Sequence, residues 1–420
     1  MSLPCTAYVT LWFPKGSETF VVSEVKALHT AGLPLSVHCL YGPLWNTPAM
    51  LPEGISVERL GLAALPRIGR DFLAALLSRP LRTLALVGRV LCSPGGGLEK
   101  YGENLLAVIC GLSLARRFRQ LGVEHIHAAW ANGSATASWC ASMLLGIPFS
   151  FSARAGDVHP SDGMLVRKLR DAAFARVDSA YNLPHLRRFI PEAPNKVQLV
   201  YNAHTLAPIS PEVVGISKAR GNDTTKPLRL VAIGRFIETK GFQHLITALG
   251  LLRNRGIDAR LTLAGDGPWR GHLKAATKRL GLTNFISFPG FVPHDRISAL
   301  LRASDMLVMP SVHLPGGKGD GLPTVIVEAL LHRLPVVATR VASIPDLILH
   351  GETGLLAPER DPIALADAIQ WLVDNRQEAL DMAAKGCVKA LEMFAPEACA
   401  AGLIGLITGT AAKGRDVPGA

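Results

Sequence analysis

This chain of 420 residues predicts two doubly wound, parallel-sheet α/β domains, and three observations carry that expectation. Short apolar, β-branched runs alternate with longer helical patterns through both halves. A polar stretch bearing Pro and Gly separates the halves. The chain is 49 % hydrophobic and 18 % charged, which supplies apolar side chains for two large cores.

In the first half, strands are predicted at 7–11 and 35–40, with a helix over 20–30 between them and Gly32-Leu33-Pro34 marking the turn back. Further strands are predicted at 125–128, 148–152, 179–181 and 197–201. The second series has strands at 228–233, 260–264, 286–288, 306–309, 336–339 and 354–356. The organisation expected is a first domain at 1–205, a linker at 206–227 and a second domain at 228–395. A helical tail at 396–420 has the first domain to pack back on. Two such sheets leave a deep cleft, with ligands beyond the carboxyl ends of the strands, so the chemistry is expected between the halves.

Composition narrows the function classes. Disordered and fibrous proteins are excluded. Seven scattered Cys with no Cys-x-x-Cys pair suggest neither a disulfide framework nor a zinc ribbon, which fits a reducing compartment. The start, Met1 to Cys5, does not read as a signal peptide, and no run of about 18 uncharged apolar residues predicts a spanning helix. A cytoplasmic protein, peripheral to a membrane at most, is expected. The net charge of +11 is concentrated in residues 1–205, where 20 Lys and Arg face 13 Asp and Glu. That surplus favours polyanions without selecting one, and it is too dispersed to read as a nucleic-acid module. Residues 64–92 combine apolar positions with Arg67, Arg70, Arg79, Arg82 and Arg89. Two readings stand: an apolar face packed on the sheet with arginines in water, or contact with an anionic membrane surface.

Two windows carry chemistry. In the first, Gly319 and Gly321 permit a tight turn, Pro323 suits the first turn of a helix over 324–331, and the helix start seats an anion. Asp320 and Glu328 are placed to accept hydrogen bonds from sugar or ribose hydroxyls; the alternative is Asp320 as a helix cap and Glu328 in solvent. In the second, a strand ends at Gly234 and a helix starts near Gly241, so Arg235 and Lys240 occupy the loop where a diphosphate would lie. Together they form a metal-free clamp for a leaving diphosphate, or they are solvated loop cations.

The spacing of Arg235 and Lys240, Ala264-Gly265-Asp266-Gly267-Pro268, Phe288-Pro289-Gly290-Phe291-Val292, Ser304-Asp305 leading to Val308-Met309-Pro310-Ser311, the Gly321-Leu322-Pro323 helix and Gly351-Glu352-Thr353-Gly354-Leu355-Leu356 recur in a fixed order. This set, over most of 228–375, resembles family 4 glycosyltransferases, retaining enzymes of the GT-B fold with two Rossmann-like domains. The first half is similar to the exopolysaccharide branch of that family, through Phe13-Pro14 followed by Ser17-Glu18-Thr19-Phe20, His125-Ile126-His127-Ala128 and 146–153.

The resemblance implies transfer of a sugar from a UDP- or GDP-sugar to a hydroxyl of a polyprenyl-diphosphate-linked saccharide, with no cofactor, no metal and no nucleic-acid partner. It implies Arg235, Lys240, Gly321, Leu322 and Pro323 as diphosphate-binding residues and Glu328 as the ribose ligand. Asp320, Arg154, His127 and Ser17 are implied on the donor-sugar and acceptor side. Asp320 stands where the family has Glu and reaches about 1.5 Å less far. Arg154 stands where relatives often have His and cannot act as a neutral base. His127, a lone His at a strand end, also reads as structural. Asn202-Ala203-His204-Thr205 departs from the family's Asn-Gly turn. No Asp-x-Asp pair occurs in the chain.

Overall fold

A computed structural model describes residues 3–15, 18–42, 54–93, 95, 97–158, 161–203, 226–315 and 321–415. Ser17, Asp320 and nearly all of the stretch expected to be a linker lie outside them. The chain divides into two compact units, Met1–Thr205 with Phe394–Ala420, and Leu206–Met393.

The first unit holds a seven-stranded sheet in the order β3-β2-β1-β4-β5-β6-β7. Its strands are β1 (Thr6–Thr10), β2 (Leu35–Cys39), β3 (Ser56–Arg59), β4 (His125–Ala128), β5 (Phe149–Ala153), β6 (Phe174–Val177) and β7 (Val197–Leu199). Every neighbouring pair is parallel. Helices Thr19–Thr30, Leu65–Ser78, Pro80–Leu91, Gly97–Leu121 and Gly133–Leu145 flank the sheet. The order reverses between β1 and β4, which is the switch point of a doubly wound sheet.

The second unit holds β8 (Leu228–Ile233), β9 (Ala259–Ala264), β10 (Ile286–Gly290), β11 (Met306–Met309), β12 (Val336–Thr339) and β13 (Leu355–Ala357) in the order β10-β9-β8-β11-β12-β13, again parallel. Its switch point falls between β8 and β11. The strands are near-continuous apolar runs because both faces are covered. Asp361 starts the helix Pro362–Asp374, accepting from the Ile363 and Ala364 N–H groups at 3.0 and 2.9 Å.

One expected strand lies elsewhere and one strand was not expected. The strand set at 179–181 lies instead at Phe174–Val177, because Arg176 interrupts its apolar run and yet is 1 % exposed. The short edge strand Ser56–Arg59 has no apolar run to announce it. The segment Arg376–Thr410 is long and apolar enough to cross a membrane by length and composition, which a charge-free criterion does not detect. Within the first unit, however, Cys399, Ala400, Leu403 and Ile407 of its second helix are buried in one cluster with Val21, Val25 and Leu28 of the helix Thr19–Thr30.

Arg176 is tolerated in a central strand because of Glu24. The Glu24 carboxylate accepts from the Tyr8 hydroxyl at 2.7 Å and from Arg154 at 3.4 Å, and it pairs with Arg176. Burial alone would raise the Glu24 carboxyl, but Arg176 and Arg154 hold it down at about 2. Asn202 completes the group: its Oδ1 accepts from Arg154 and Arg176 at 3.1 and 2.9 Å, and its Nδ2 donates to Asp178 at 2.8 Å. Removing the acid leaves buried Arg176 without an ion-pair partner among the described residues and Arg154 with Asp178 alone at 3.6 Å, so Glu24→Gln is expected to lower unfolding free energy by about 3–5 kcal/mol in urea denaturation. A loss under about 1 kcal/mol would show that the cluster does not hold the unit together.

Candidate active site

The second unit builds its site from loops at the carboxyl ends of its strands. After β8, the chain runs through Gly234 and Arg235 into a single turn, Glu238–Lys240, and enters the helix Phe242–Asn254 at Gly241. Two glycines press this loop against its neighbours. A Cβ on Gly265, whose φ is +140°, would stand 1.9 Å from the Gly234 carbonyl oxygen, and one on Gly241, φ +63°, would stand 1.9 Å from that of Pro310. The loops after β8, β9 and β11 therefore touch backbone on backbone, where only glycine fits. Hydrogen bonds lock the contact: the Phe236 N–H donates to the Asp266 carbonyl at 2.8 Å, Trp269 N–H to Phe236 at 2.9 Å and Val312 N–H to Thr239 at 2.8 Å.

This packing fixes the two cations. Arg235 is exposed, and its side chain makes no hydrogen bond or ion pair with the described residues. The Lys240 stem lies over Gly234, its Cε 3.2 Å and its Cδ 3.5 Å from where a Cβ of residue 234 would be. The bare α-carbon of Gly234 is thus the floor along which Lys240 is laid.

On the other side of the switch point, the helix Thr324–Leu331 starts after Gly321, Leu322 and Pro323, with no side chain capping its first turn among the described residues. Glu328 is 6 % exposed and not in solvent. Burial raises its carboxyl above the ordinary range, opposed by His294 at 3.8 Å. Among the described residues its nearest charged partner is His294, so the carboxylate is available to accept from a ligand hydroxyl.

Sequence reasoning gave no role to three residues here. His294 opens the helix His294–Arg302 beside Glu328. Phe291 follows β10 with 77 % of its surface exposed, a ring fit to stack on a base. His313 ties three strand ends together: Glu359 accepts from its N–H at 2.7 Å and meets its Nδ1 at 3.2 Å, and the Ala342 N–H donates to its Nε2 at 3.3 Å. The usable signal was position, since all three follow a strand by a few residues.

Two residues implied by the resemblance are committed inside the first unit. Arg154 is 4 % exposed, donates to the Ala129 carbonyl, Glu24 and Asn202, and lies 4.9 Å from the Phe20 ring and 4.8 Å from Trp130. His127 is fully buried, between Ser150 at 2.8 Å and Ser152 at 3.1 Å. Burial holds His127, and His125 beside it, down at about 3, so both are neutral imidazoles at neutral pH.

Residues 227–375 match the family described as "Glycosyl transferases group 1", so the second unit is a glycosyl transferase domain. Along most of its length the chain is similar to the Salmonella typhimurium protein named for colanic acid biosynthesis, glycosyltransferase WcaL, at 26 % identity over 86 % of this chain and 88 % of that one. It is 35 % identical to the amylovoran biosynthesis glycosyltransferase AmsK of Erwinia amylovora over 34 % of this chain and 35 % of that protein. The fold is that of the GT-B glycosyltransferases: HepE of Anabaena, solved in complex with UDP, superposes with a TM-score of 0.68 at 17 % identity, covering 96 % of this chain and 99 % of HepE.

The two depressed histidines give a signed expectation. On acidification below pH 6.5 the unfolded chain binds protons that folded His125 and His127 refuse, so stability falls as pH drops. The urea midpoint should decline from pH 6.5 to 5 in the native protein and decline less in His127→Gln. Equal slopes in the two would show that His127 is not held neutral.

Proposed function

We propose that the chain is a retaining glycosyltransferase that moves a sugar from a UDP- or GDP-sugar to a hydroxyl of a lipid-linked oligosaccharide or polysaccharide precursor in exopolysaccharide assembly, without a metal ion. The observation that carries the reading is the Lys240 stem laid across Gly234 at the end of the central strand, with Arg235 exposed beside it. The names of WcaL and AmsK support the exopolysaccharide setting. The UDP held by HepE supports a nucleotide-linked donor.

In this reading Arg235, Lys240 and the uncapped N–H groups after Gly321 stabilise the diphosphate as it departs. Arg supplies a fork of donors and Lys a mobile point charge. The largely buried Glu328 carboxylate accepts charge-assisted hydrogen bonds from the ribose hydroxyls. The acceptor oxygen bonds to the anomeric carbon on the face from which the leaving group departs. The C–O bond electrons pass to the diphosphate, and one of its phosphate oxygens takes the acceptor proton. The two cations offset the charge that grows on the leaving group, which is the work a metal ion would otherwise do. Neutral, enclosed His127 and internally paired Arg154 are left with structural work, and Asp320 is the remaining candidate to orient the donor sugar.

Purified protein with a panel of nucleotide sugars and a polyprenyl-diphosphate-linked saccharide tests this directly. Lys240→Ala is expected to lower kcat by about 10²- to 10³-fold, the cost of losing one preorganised charge-stabilising group. Glu328→Gln should chiefly raise KM for the donor, EDTA should leave the rate unchanged, and the product should keep the donor's anomeric configuration. Near-native rates in both variants would refute the site, and an inverted product would refute retention.

A further inference from the structure

Two consecutive helices of the first unit present apolar side chains to solvent and a carboxylate to the core. In Leu65–Ser78, Ile68 and Asp71 are buried, whereas Leu73 and Leu77 are 55 % and 76 % exposed. In Pro80–Leu91, Thr83, Leu86 and Val90 are buried, whereas Leu81 and Leu84 are 83 % and 58 % exposed. At 3.6 residues per turn, Pro66, Leu73 and Leu77 form one stripe, and Leu81, Leu84, Ala85 and Gly88 form the next. The core would bury these leucines if burial were their only use. Asp71 is held inside by Ser113 at 2.7 Å and Arg116 at 3.0 Å, so the orientation of the first helix is fixed by a buried polar contact.

The charge around this face is predominantly positive. Residues 62–98 contain five Arg and one carboxylate, Asp71, which is buried; Arg67 pairs with Glu58 at 2.8 Å and Arg70 with Asp71 at 3.4 Å, and Arg82 and Arg89 make no ion pair among the described residues. Arg82 and Arg89 flank the second stripe. On the inner flank of the first helix, a hollow of about 270 Å³ is bordered by Arg79, Arg116 and Arg119. Leucines flanked by arginines on adjacent surface helices fit the interface of an anionic bilayer, where the side chains enter the acyl boundary and the guanidiniums meet lipid phosphates.

We infer that the face formed by Leu73, Leu77, Leu81 and Leu84 with Arg82 and Arg89 docks this protein on an anionic lipid surface. The inference deepens the transferase reading, since docking brings the enzyme to a lipid-linked acceptor. The observations behind it lie wholly within the first unit and do not depend on the donor site.

The test is sedimentation of the full chain with phosphatidylcholine vesicles and with vesicles that also contain phosphatidylglycerol. The protein should bind the anionic vesicles at least tenfold more tightly. The variant Leu73→Ser, Leu77→Ser, Leu81→Ser, Leu84→Ser should lose that binding, and Arg82→Glu with Arg89→Glu should weaken it and remove most of its salt dependence. UDP binding measured on the same preparations should be native in both variants, so that failure of docking and failure of the donor site are read separately. Binding that ignores lipid charge, or that survives both sets of substitutions, would overturn the proposal. So would light scattering that shows a dimer dissolved by the leucine substitutions with no vesicle binding in the native protein, since the face would then belong to a second copy.

Discussion

The site in the second unit depends on one close contact: the loops that leave β8, β9 and β11 meet backbone to backbone, with Gly265 against the Gly234 carbonyl and Gly241 against that of Pro310. A side chain at either glycine would push the loops apart, and the conformation at both favours glycine in any case. Everything functional follows from that approach. The turn after β8 becomes short, Arg235 and Lys240 come to the end of the central strand, and the lysine stem lies along Gly234. A pair of surface cations on longer loops would keep more side-chain freedom and surrender more of it on binding an anion.

The first unit uses its charges differently. There Tyr8, Glu24, Arg154, Arg176 and Asn202 are joined by hydrogen bonds and ion pairs in the interior. Two arginines around one acid leave a net positive charge, moderated by Asp178 at 3.6 Å from Arg154. Such a cluster gives little net stability against an apolar core, but it cannot lose a member cheaply. The same type of residue thus has opposite consequences in the two units: Arg154 is consumed by the fold, whereas Arg235 is exposed for a ligand.

How much of this the sequence revealed follows from the range of the interactions involved. Strands β8, β11 and β12 were legible to the residue because each is a continuous apolar, β-branched run closed by a turn. β6 was misplaced because the pairing that makes Arg176 acceptable comes from Glu24, separated from it by 152 positions, and no local pattern announces that. The fate of Arg154 was hidden in the same way. For the helices Leu65–Ser78 and Pro80–Leu91 the periodicity showed amphipathic segments, but which face goes inside is a tertiary matter. The buried Asp71 and exposed Leu77 invert the usual rule. The motif residues Arg235, Lys240 and Glu328 were legible as a set because short loops at consecutive strand ends keep sequence order and spatial order together.

The central claim is that the cations after β8 recognise a diphosphate. Calorimetric titration of the native protein and of Arg235→Ala with UDP and with UMP tests it most directly. The account predicts that native protein binds UDP at least tenfold more tightly than UMP, and that Arg235→Ala erases most of that difference while leaving UMP affinity near native. Equal affinity for the two nucleotides in the native protein, or an undiminished preference for UDP in the variant, would contradict it.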